Sequence, residues 1–315
     1  MNDPAGFVRT AIDHLRANVP GTAIIAASGG IDSTTAAVLA ERALGDRARA
    51  IFVDTGLLRA GEVERVETFF QASGLRHEVV EASDRFFGAL TGVTDPEEKR
   101  RRIGAAFIRL FEEEAARTRA DRLIQGTIAP DWIESGGAAR DTIKTHHNVG
   151  GVPKDSRLTL VEPLRDLYKD EVRAVARHLG IPEADRQPFP GPGLAVRVNG
   201  PVTPERVRRA RVANDVVERE VERAVAAGEL PRPWQYFAVL LDARTVGVLG
   251  DNRIHGEAVS VRIVESLDAM TATAMAVPRP VLARIAERIT RELSGEVVRV
   301  LYDVTDKPPG TIEWE

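Results

Sequence analysis

The sequence predicts an α/β protein in which a doubly wound parallel sheet is followed by a smaller α+β domain. Up to about residue 187, short apolar runs alternate with amphipathic helical patterns, which is typical of parallel strands joined by crossover helices. A stretch rich in Pro and Gly, residues 188–193, then suits neither helix nor strand. Beyond it, long helical patterns accompany runs with the two-residue period of strands. We therefore expect two domains, residues 1–187 and 188–315.

The first domain begins with a helix and contains four predicted strands. Asp3 and Pro4 supply an N-cap and a proline at the first helical position, and apolar residues then recur at helical spacing. The strands are short apolar runs over residues 22–27, 50–54, 77–81 and 123–124. Further helices are predicted over residues 32–44 and 62–70, from Asp95 onward, and over 168–179. Because strands alternate with helices, the sheet should be parallel and covered on both faces.

Polar stretches follow three of these strands at the point where each strand ends. They cover residues 28–33, 54–59 and 125–131. Ligands of open parallel sheets bind beyond the carboxyl ends of the strands. We therefore expect the three stretches to line one crevice.

The second domain is predicted to combine two helices with a small antiparallel or mixed sheet. Thr203 and Pro204 begin a long helix that ends near Ala227, and a second helix covers residues 278–293. The predicted strands cover residues 236–241, 258–264 and 297–304. The Pro- and Gly-rich stretch before them should act as a stiff connection between the domains.

Composition excludes several classes of protein. The chain has 315 residues, and neither a run of about 18 apolar residues nor a signal peptide is present. We therefore expect a cytoplasmic protein with no membrane partner. The net charge of −4 gives no overall attraction to nucleic acid. The basic runs 99–102 and 206–211 also contain or adjoin acids, so we interpret them as solvated helix faces.

Cysteine is absent from the sequence. Disulfides, thiolate metal sites and cysteine nucleophiles are therefore all excluded.

The hexapeptide SGGIDS, residues 28–33, lies between the first strand and the next helix. Its glycines allow the backbone to approach an anion, and the helix N-terminus attracts negative charge. Ser28, Ser33 and Thr34 add hydroxyl groups. Asp32 would repel phosphate unless a cation lies between them, which predicts Mg²⁺. The alternative is a glycine turn in which Asp32 and Ser33 only cap the helix.

After a buried strand, this hexapeptide resembles the pyrophosphate-binding loop of the N-type ATP pyrophosphatases. Further motifs, in the same order along the chain, resemble the GMP synthetase family: FVDTGLLR (52–59), QGTIAPDWIES (125–135), IKTHHNVGGVP (143–153), LVEPLRDLYKDEVR (160–173), PFPGPGLAVRV (188–198) and KPPGTIEWE (307–315). The resemblance runs from the glycine loop to the last residue. It implies an adenine-nucleotide α-hydrolase-like fold followed by a dimerisation domain.

The resemblance implies that the chain aminates XMP to GMP, with ATP as co-substrate and Mg²⁺ as cofactor. In that reaction the C2 oxygen of XMP is adenylated, pyrophosphate is released, and ammonia then displaces AMP. The implied ATP-binding residues are Ser28, Gly29, Gly30, Ile31, Asp32, Ser33, Thr34, Val53, Asp54, Gly126 and Thr127. Asp32 would also contact the metal. The alternatives are a strand-end cap for Asp54 and an ordinary loop role for Gly126 and Thr127.

The family resemblance also implies a lid and a site for XMP. Residues 136–151 form a polar, Gly-containing segment that matches the mobile lid of the family, and we expect Lys144 to neutralise charge at the α phosphate. His146 and His147 suit a solvated or phosphate-contacting role better than a metal pair, because no acid lies at ligand spacing. The implied XMP-binding residues are Arg59, Lys307, Ile312 and Glu313.

The ammonia source is the point at which the chain departs from many members of the family. Those members carry an N-terminal glutaminase domain with a cysteine nucleophile, whereas this sequence begins about twenty residues before the glycine loop and has no cysteine. We expect free ammonia or a separate glutamine amidotransferase subunit to supply the nitrogen, and a homodimer through the second domain. The rival hypotheses are a tRNA-modifying ATP pyrophosphatase and a nucleotide-binding sensor without turnover.

Overall fold

The protein folds into two compact units. The computed structural model describes residues 3–129, 158–181, 186–266 and 269–315. The first unit consists of Met1–Thr55, Gly61–Ala89 and Arg100–Gly191, and the second of Gly56–Ala60, Leu90–Lys99 and Pro192–Glu315. The two units therefore interleave along the chain, with two early segments belonging to the second.

The first unit is built on a five-stranded parallel sheet in the order β3-β2-β1-β4-β5. The strands are β1 (Ala23–Ala27), β2 (Ala48–Asp54), β3 (His77–Glu81), β4 (Arg122–Ile124) and β5 (Thr159–Val161). The helices of the first part of the chain are α1 (Pro4–Asn18), α2 (Ile31–Leu44), α3 (Glu62–Ala72), α4 (Ser83–Leu90), α5 (Pro96–Thr118) and α6 (Lys169–Leu179). Ile24, Ile51 and Phe52 are at most 1% exposed, as expected for central strands covered on both faces.

Predicted caps determine where several helices begin and end. The Asp3 side chain accepts a hydrogen bond from the Gly6 N–H at 2.8 Å, and Asp95 accepts one from the Glu98 N–H at 2.8 Å. Gly180 ends α6 in the left-handed region, with φ of 78°, where a side chain would be strained. These local signals were readable from the sequence because cap and partner are three residues apart.

The second unit contains a mixed sheet of four strands and two long helices. Its elements are α7 (Pro204–Ala226), β6 (Gln235–Leu249), β7 (Asn252–Glu265), β8 (Thr273–Ala274), α8 (Arg279–Glu292) and β9 (Val297–Tyr302). β7 pairs antiparallel with β6 and β8, and parallel with β9. The β6–β7 hairpin is longer than predicted because its outer residues are exposed and lack an apolar pattern.

The segment 56–60 belongs to the second unit through backbone hydrogen bonds. The Leu194 N–H donates to the Leu57 carbonyl at 2.7 Å, and Arg211 donates to the carbonyls of Gly56 and Leu58. A Cβ atom at Gly193 would lie 2.5 Å from the Leu57 carbonyl oxygen, and φ at Gly193 is 64°. A glycine is therefore required at this contact.

The prediction of solvated basic faces is wrong at two positions. Lys99 is 0% exposed and Arg206 is 8% exposed. Lys99 contacts Glu315, and the Arg206 Nε lies 2.9 Å from Glu257. Both acids are distant in sequence, so the local charge pattern could not reveal these pairs. No helix in the described part of the chain is long and apolar enough to cross a membrane.

Candidate functional site

The glycine loop lies at the point where the order of the parallel sheet reverses direction. β1 pairs with β2 on one side and with β4 on the other. The chain moves from β1 to β2, but must later return to the far side of β1 for β4. Loops at such a point separate and leave a crevice for a ligand. The predicted crevice is thus bordered by the loops after β1 and β4.

Ser33 organises the glycine loop through its hydroxyl group. Its Oγ accepts a hydrogen bond from the Ser28 N–H at 3.0 Å, lies 2.9 Å from the Ser28 Oγ, and donates to the Gly30 carbonyl at 3.1 Å. Gly30 is the N-cap of α2 and forms no side-chain capping bond within the described chain. The loop is therefore held in shape while the first turn of α2 remains suited to an anion.

Two glycines are required by close packing around this loop. Gly29 has φ of 76°, and a Cβ atom there would lie 2.7 Å from the Val66 Cγ2. A Cβ atom at Gly126 would lie 2.6 Å from the Ser33 backbone nitrogen. The segment after β4 therefore packs directly on the first turn of α2, which brings Gly126 and the hexapeptide together.

Asp32 is held by a lysine that was not predicted. Lys169, the first residue of α6, donates from Nζ to the Asp32 Oδ2 at 2.5 Å. The second oxygen, Oδ1, is buried and has no hydrogen-bond partner among the described residues, and the same holds for the Thr127 Oγ1. The only advance signal for Lys169 was its place in the motif LVEPLRDLYKDEVR.

The donor set around Asp32 fits Mg²⁺ bound together with phosphate. The described residues contain no group of three acidic or histidine side chains that would hold a metal by themselves. Mg²⁺ is often bound by one or two carboxylates plus substrate phosphates and water. The buried Asp32 Oδ1 provides one such carboxylate oxygen.

Buried charge supports the loop from the side of α3. Glu62, the first residue of α3, forms ion pairs with Arg65 and with Arg186, whose Nη2 lies 3.0 Å from the Glu62 Oε2. Arg65 also donates to the Gly29 carbonyl at 3.3 Å. This network positions two arginines near the loop, and none of its three members was predicted.

The other predicted nucleotide-binding residues lie on β2 and α2. Val53 and Asp54 are the last residues of β2, and the Asp54 carbonyl accepts a hydrogen bond from Ala82 at 2.9 Å. Ile31 and Thr34 lie in the first turn of α2, where the Thr34 N–H donates to Gly30 at 3.0 Å. Lys144, His146 and His147 lie outside the described residues.

Glu313, predicted to bind XMP, lies at the centre of a polar cluster in the second unit. Arg197 donates to its carboxylate from Nε at 3.1 Å and from Nη2 at 2.8 Å, and Gln235 donates from Nε2 at 2.8 Å. Arg197 is 1% exposed and also donates to the Asn214 Oδ1 at 2.9 Å. Neither Arg197 nor Gln235 was predicted, although Arg197 lies within the motif PFPGPGLAVRV.

Arg59 belongs to the same cluster through α7. It is buried, and its Nη1 lies 3.6 Å from the Glu218 Oε1. Glu218 and Asn214 are four residues apart on α7, so they are neighbours on one face of the helix. Arg59 and Arg197 therefore contact adjacent positions of α7. The structure thus brings together two predicted residues that are far apart in sequence, Arg59 and Glu313.

Lys307 and Ile312 lie in the same unit as this cluster. The Lys307 Nζ donates to the Ala269 carbonyl at 2.8 Å, and its backbone pairs with Ala272. Ile312 is buried in an apolar group together with Phe237, Val239, Val264 and Ala272. Any contact of Ile312 with a polar ligand must therefore come mainly from its backbone.

Comparisons with known proteins cover the full chain. The family described as "GMP synthase C terminal domain" matches residues 222–314. Relatives named as one subunit of the glutamine-hydrolyzing GMP synthase align from end to end. The protein of Pyrococcus horikoshii is 60% identical, covering 98% of each chain. That of Methanopyrus kandleri is 56% identical, covering 100% of each, and that of Thermoplasma acidophilum is 55% identical, covering 99% of each.

Among solved structures, an NH₃-dependent NAD synthetase from Campylobacter jejuni aligns with 57% of this chain and 75% of its own. The identity is 18% and the TM-score is 0.44. At that level of likeness, the strand order described above is the better guide to fold class.

Proposed function

The chain belongs to the family of these GMP synthase subunits, and on this basis we propose that it aminates XMP to GMP in an ATP-dependent reaction. Identity of 60% along nearly the whole chain supports the proposal. The structural observation that carries it is the SGGIDS loop at the switch point of the sheet, with α2 beginning directly behind it. Such a loop suits the leaving pyrophosphate of ATP.

The reaction needs adenylation because the C2 oxygen of XMP is a poor leaving group. That oxygen attacks the α phosphorus of ATP, the bond between the α phosphorus and the bridging oxygen breaks, and pyrophosphate leaves. Ammonia then attacks C2, loses a proton, and AMP departs with the former C2 oxygen. The products are GMP, AMP and pyrophosphate.

The residues of the first unit bind and orient the triphosphate in this proposal. Backbone N–H groups of residues 29–33 and the Ser28 hydroxyl bind the β and γ phosphates, because they surround the N-terminus of α2. Lys169 fixes the orientation of Asp32 through their 2.5 Å hydrogen bond. When bound, Mg²⁺ would be held by Asp32 and would neutralise phosphate charge. The role of Lys144 at the α phosphate stays a prediction.

The residues of the second unit recognise XMP. Glu313 accepts hydrogen bonds from the N–H groups of the purine, while Arg59 and Lys307 supply positive charge for its phosphate. Arg197 and Gln235 hold the Glu313 carboxylate from behind. Ile312 contributes through its backbone. The buried bidentate pair supports this role because it keeps the acceptor atoms in one orientation.

Ammonia comes from a separate glutamine amidotransferase subunit, with which this chain assembles in the cell. The absence of cysteine from the sequence supports this, since the chain offers no thiol to cleave glutamine. The relatives are themselves named as one subunit of a glutamine-hydrolyzing enzyme. We propose in addition a cytoplasmic homodimer formed through the second unit. Exposed apolar side chains on β6 and β9, among them Val248 and Leu301, support a contact surface there.

An isotope experiment tests the reaction directly. The purified chain is mixed with ATP, Mg²⁺, ammonium and XMP labelled with ¹⁸O at C2. The label should move into the phosphate of AMP, because the C2 oxygen departs with AMP. Omission of XMP should stop AMP formation.

The outcomes separate the proposal from its rivals. AMP formed without XMP, or only with added tRNA, would favour a different ATP pyrophosphatase. ATP binding with no AMP under any condition would favour a nucleotide sensor. GMP formation from glutamine by the isolated chain would contradict the need for a second subunit.

A further inference from the structure

Lys99 is a buried lysine that the proposed mechanism does not use. It lies in the first turn of α5, belongs to the second unit, and is 0% exposed. Its Nζ donates to the Glu315 carboxylate and, at 2.8 Å, to the Val198 carbonyl. Burial lowers the pKa of Lys99, and the contact with Glu315 opposes that shift. A charged lysine at this depth therefore depends on Glu315.

Glu315 is held from two directions. Besides Lys99, it accepts a hydrogen bond from the Asn199 Nδ2 at 2.9 Å, and its side chain is 2% exposed. Two residues earlier, Glu313 is held by Arg197. The consecutive residues 197–199 thus contact the segment 307–315 at two carboxylates. Trp314, between them, is bonded to a different group, the Asp303 carboxylate, at 3.0 Å.

We propose that Lys99, Glu315 and Asn199 form a lock that positions Glu313 for XMP, and that they set the affinity for XMP without touching it. The inference rests on the proposed XMP amination. Two residues of extended chain span only about 6–7 Å, so a displacement of Glu315 is passed on to Glu313. Displacement of a binding group by about 1 Å is enough to weaken a site severely.

A purely structural role is the competing explanation, and Glu220 provides a matched control. Glu220 is a carboxylate of the same unit and is 1% exposed, with its Oε1 2.8 Å from Arg288 and its Oε2 3.4 Å from Arg284. Its partners lie on α8 and not near the segment 307–315. Glu220→Gln therefore removes a buried charge from the second unit without disturbing the lock.

The test compares Glu315→Gln with Glu220→Gln in the complete chain. For each variant, the KM values for XMP and for ATP and the value of kcat are measured with ammonium as the nitrogen source. Glu315→Gln should raise the KM for XMP by about 10-fold or more, while the KM for ATP stays within about twofold. Glu220→Gln should lower the thermal midpoint and leave the KM for XMP unchanged.

A third variant separates charge from position. Glu315→Asp keeps the carboxylate but shortens the side chain by one methylene. If the lock works by position, this variant should also raise the KM for XMP. A normal KM in Glu315→Asp together with a raised KM in Glu315→Gln would mean that charge alone matters, which overturns a positioning role.

Equal KM values for XMP in Glu315→Gln and the wild type, or equal increases in both Gln variants, would also overturn the inference. If Glu315→Gln does not fold, Asn199→Ala removes only the 2.9 Å hydrogen bond, and the same two outcomes decide. Failure of the proposed function is distinguishable, because the wild-type chain would then show no XMP-dependent AMP formation.

Discussion

The glycine loop of the first unit and the Glu313 cluster of the second unit are two binding sites of opposite construction. The loop is one contiguous stretch, residues 28–34, in which backbone groups, hydroxyls and the absence of side chains do the binding. The Glu313 cluster draws on distant stretches, and its groups are long charged side chains buried against one another.

The difference shows how each site obtains a fixed shape. Backbone groups at a helix N-terminus are rigid already, so the loop needs only room for the anion. Long side chains lose rotamer freedom when they bind, and a buried carboxylate needs partners that hold it. The loop should therefore be sensitive to added atoms, and the Glu313 cluster to changed geometry of charge.

Asp32 is the exception within the loop, and its loss should have the largest effect. Asp32→Ala removes the buried Oδ1 and the partner of Lys169. Pyrophosphate release should fall by about 10³-fold, because an electrostatic group at the triphosphate is lost. The XMP affinity and the fold should remain intact. Asp46→Ala, at an exposed aspartate of the same unit, is the control, and near-normal turnover in Asp32→Ala would remove this residue from the mechanism.

Gly126→Ala tests the dependence of the loop on missing atoms. The added Cβ would lie 2.6 Å from the Ser33 nitrogen, so the first turn of α2 must shift. We expect a loss of about 1–3 kcal/mol in the free energy of unfolding and a KM for ATP raised by about 10-fold or more. Gly88→Ala is the control, since a Cβ there meets nothing within 4 Å; denaturant unfolding and ATP kinetics of both variants decide.

Arg197→Lys tests the dependence of the second site on geometry. The charge is kept, but a lysine cannot reproduce the two-point contact with Glu313. The KM for XMP should rise by about 10-fold, with the KM for ATP unchanged. Arg232→Lys changes an exposed two-point contact with Glu222 and should have no kinetic effect. A normal KM for XMP in Arg197→Lys would show that charge suffices at this site.

Glu296 gives the smallest expected effect and shows what a partly exposed ion pair contributes. The hydrogen bond from Arg209, helped by Arg208, lowers the pKa of Glu296. Because the pKa is lowered on folding, the stabilisation is present above about pH 4.5 and is lost as the pH falls through the folded pKa. The side chain is 31% exposed, so Glu296→Gln should cost less than about 1 kcal/mol at neutral pH.

Denaturant unfolding of Glu296→Gln and the wild type from pH 7 to pH 3 checks this prediction. The difference between them should shrink as the pH falls below about 4.5. A constant difference across that range would mean that Glu296 stabilises the unit by packing and not by charge.

Local patterns were sufficient to predict much of the first unit. The parallel sheet, the caps at Asp3 and Asp95, and the glycine loop depend on residues within a few positions of one another. Three short elements, α4, β5 and β8, were not predicted. β5 and β8 have only three and two residues, which is too short for a periodic pattern, and tertiary pairing stabilises them instead.

The sequence by itself determined the fold class, the phosphate-binding loop and, through family resemblance, four candidate XMP residues. Only the tertiary structure decided which side chains support them. Lys169 and Asp32 are 137 positions apart, Arg197 and Glu313 are 116 apart, and Lys99 and Glu315 are 216 apart. A buried charge is stable only beside its partner, and no local pattern records a partner that folding brings from so far along the chain.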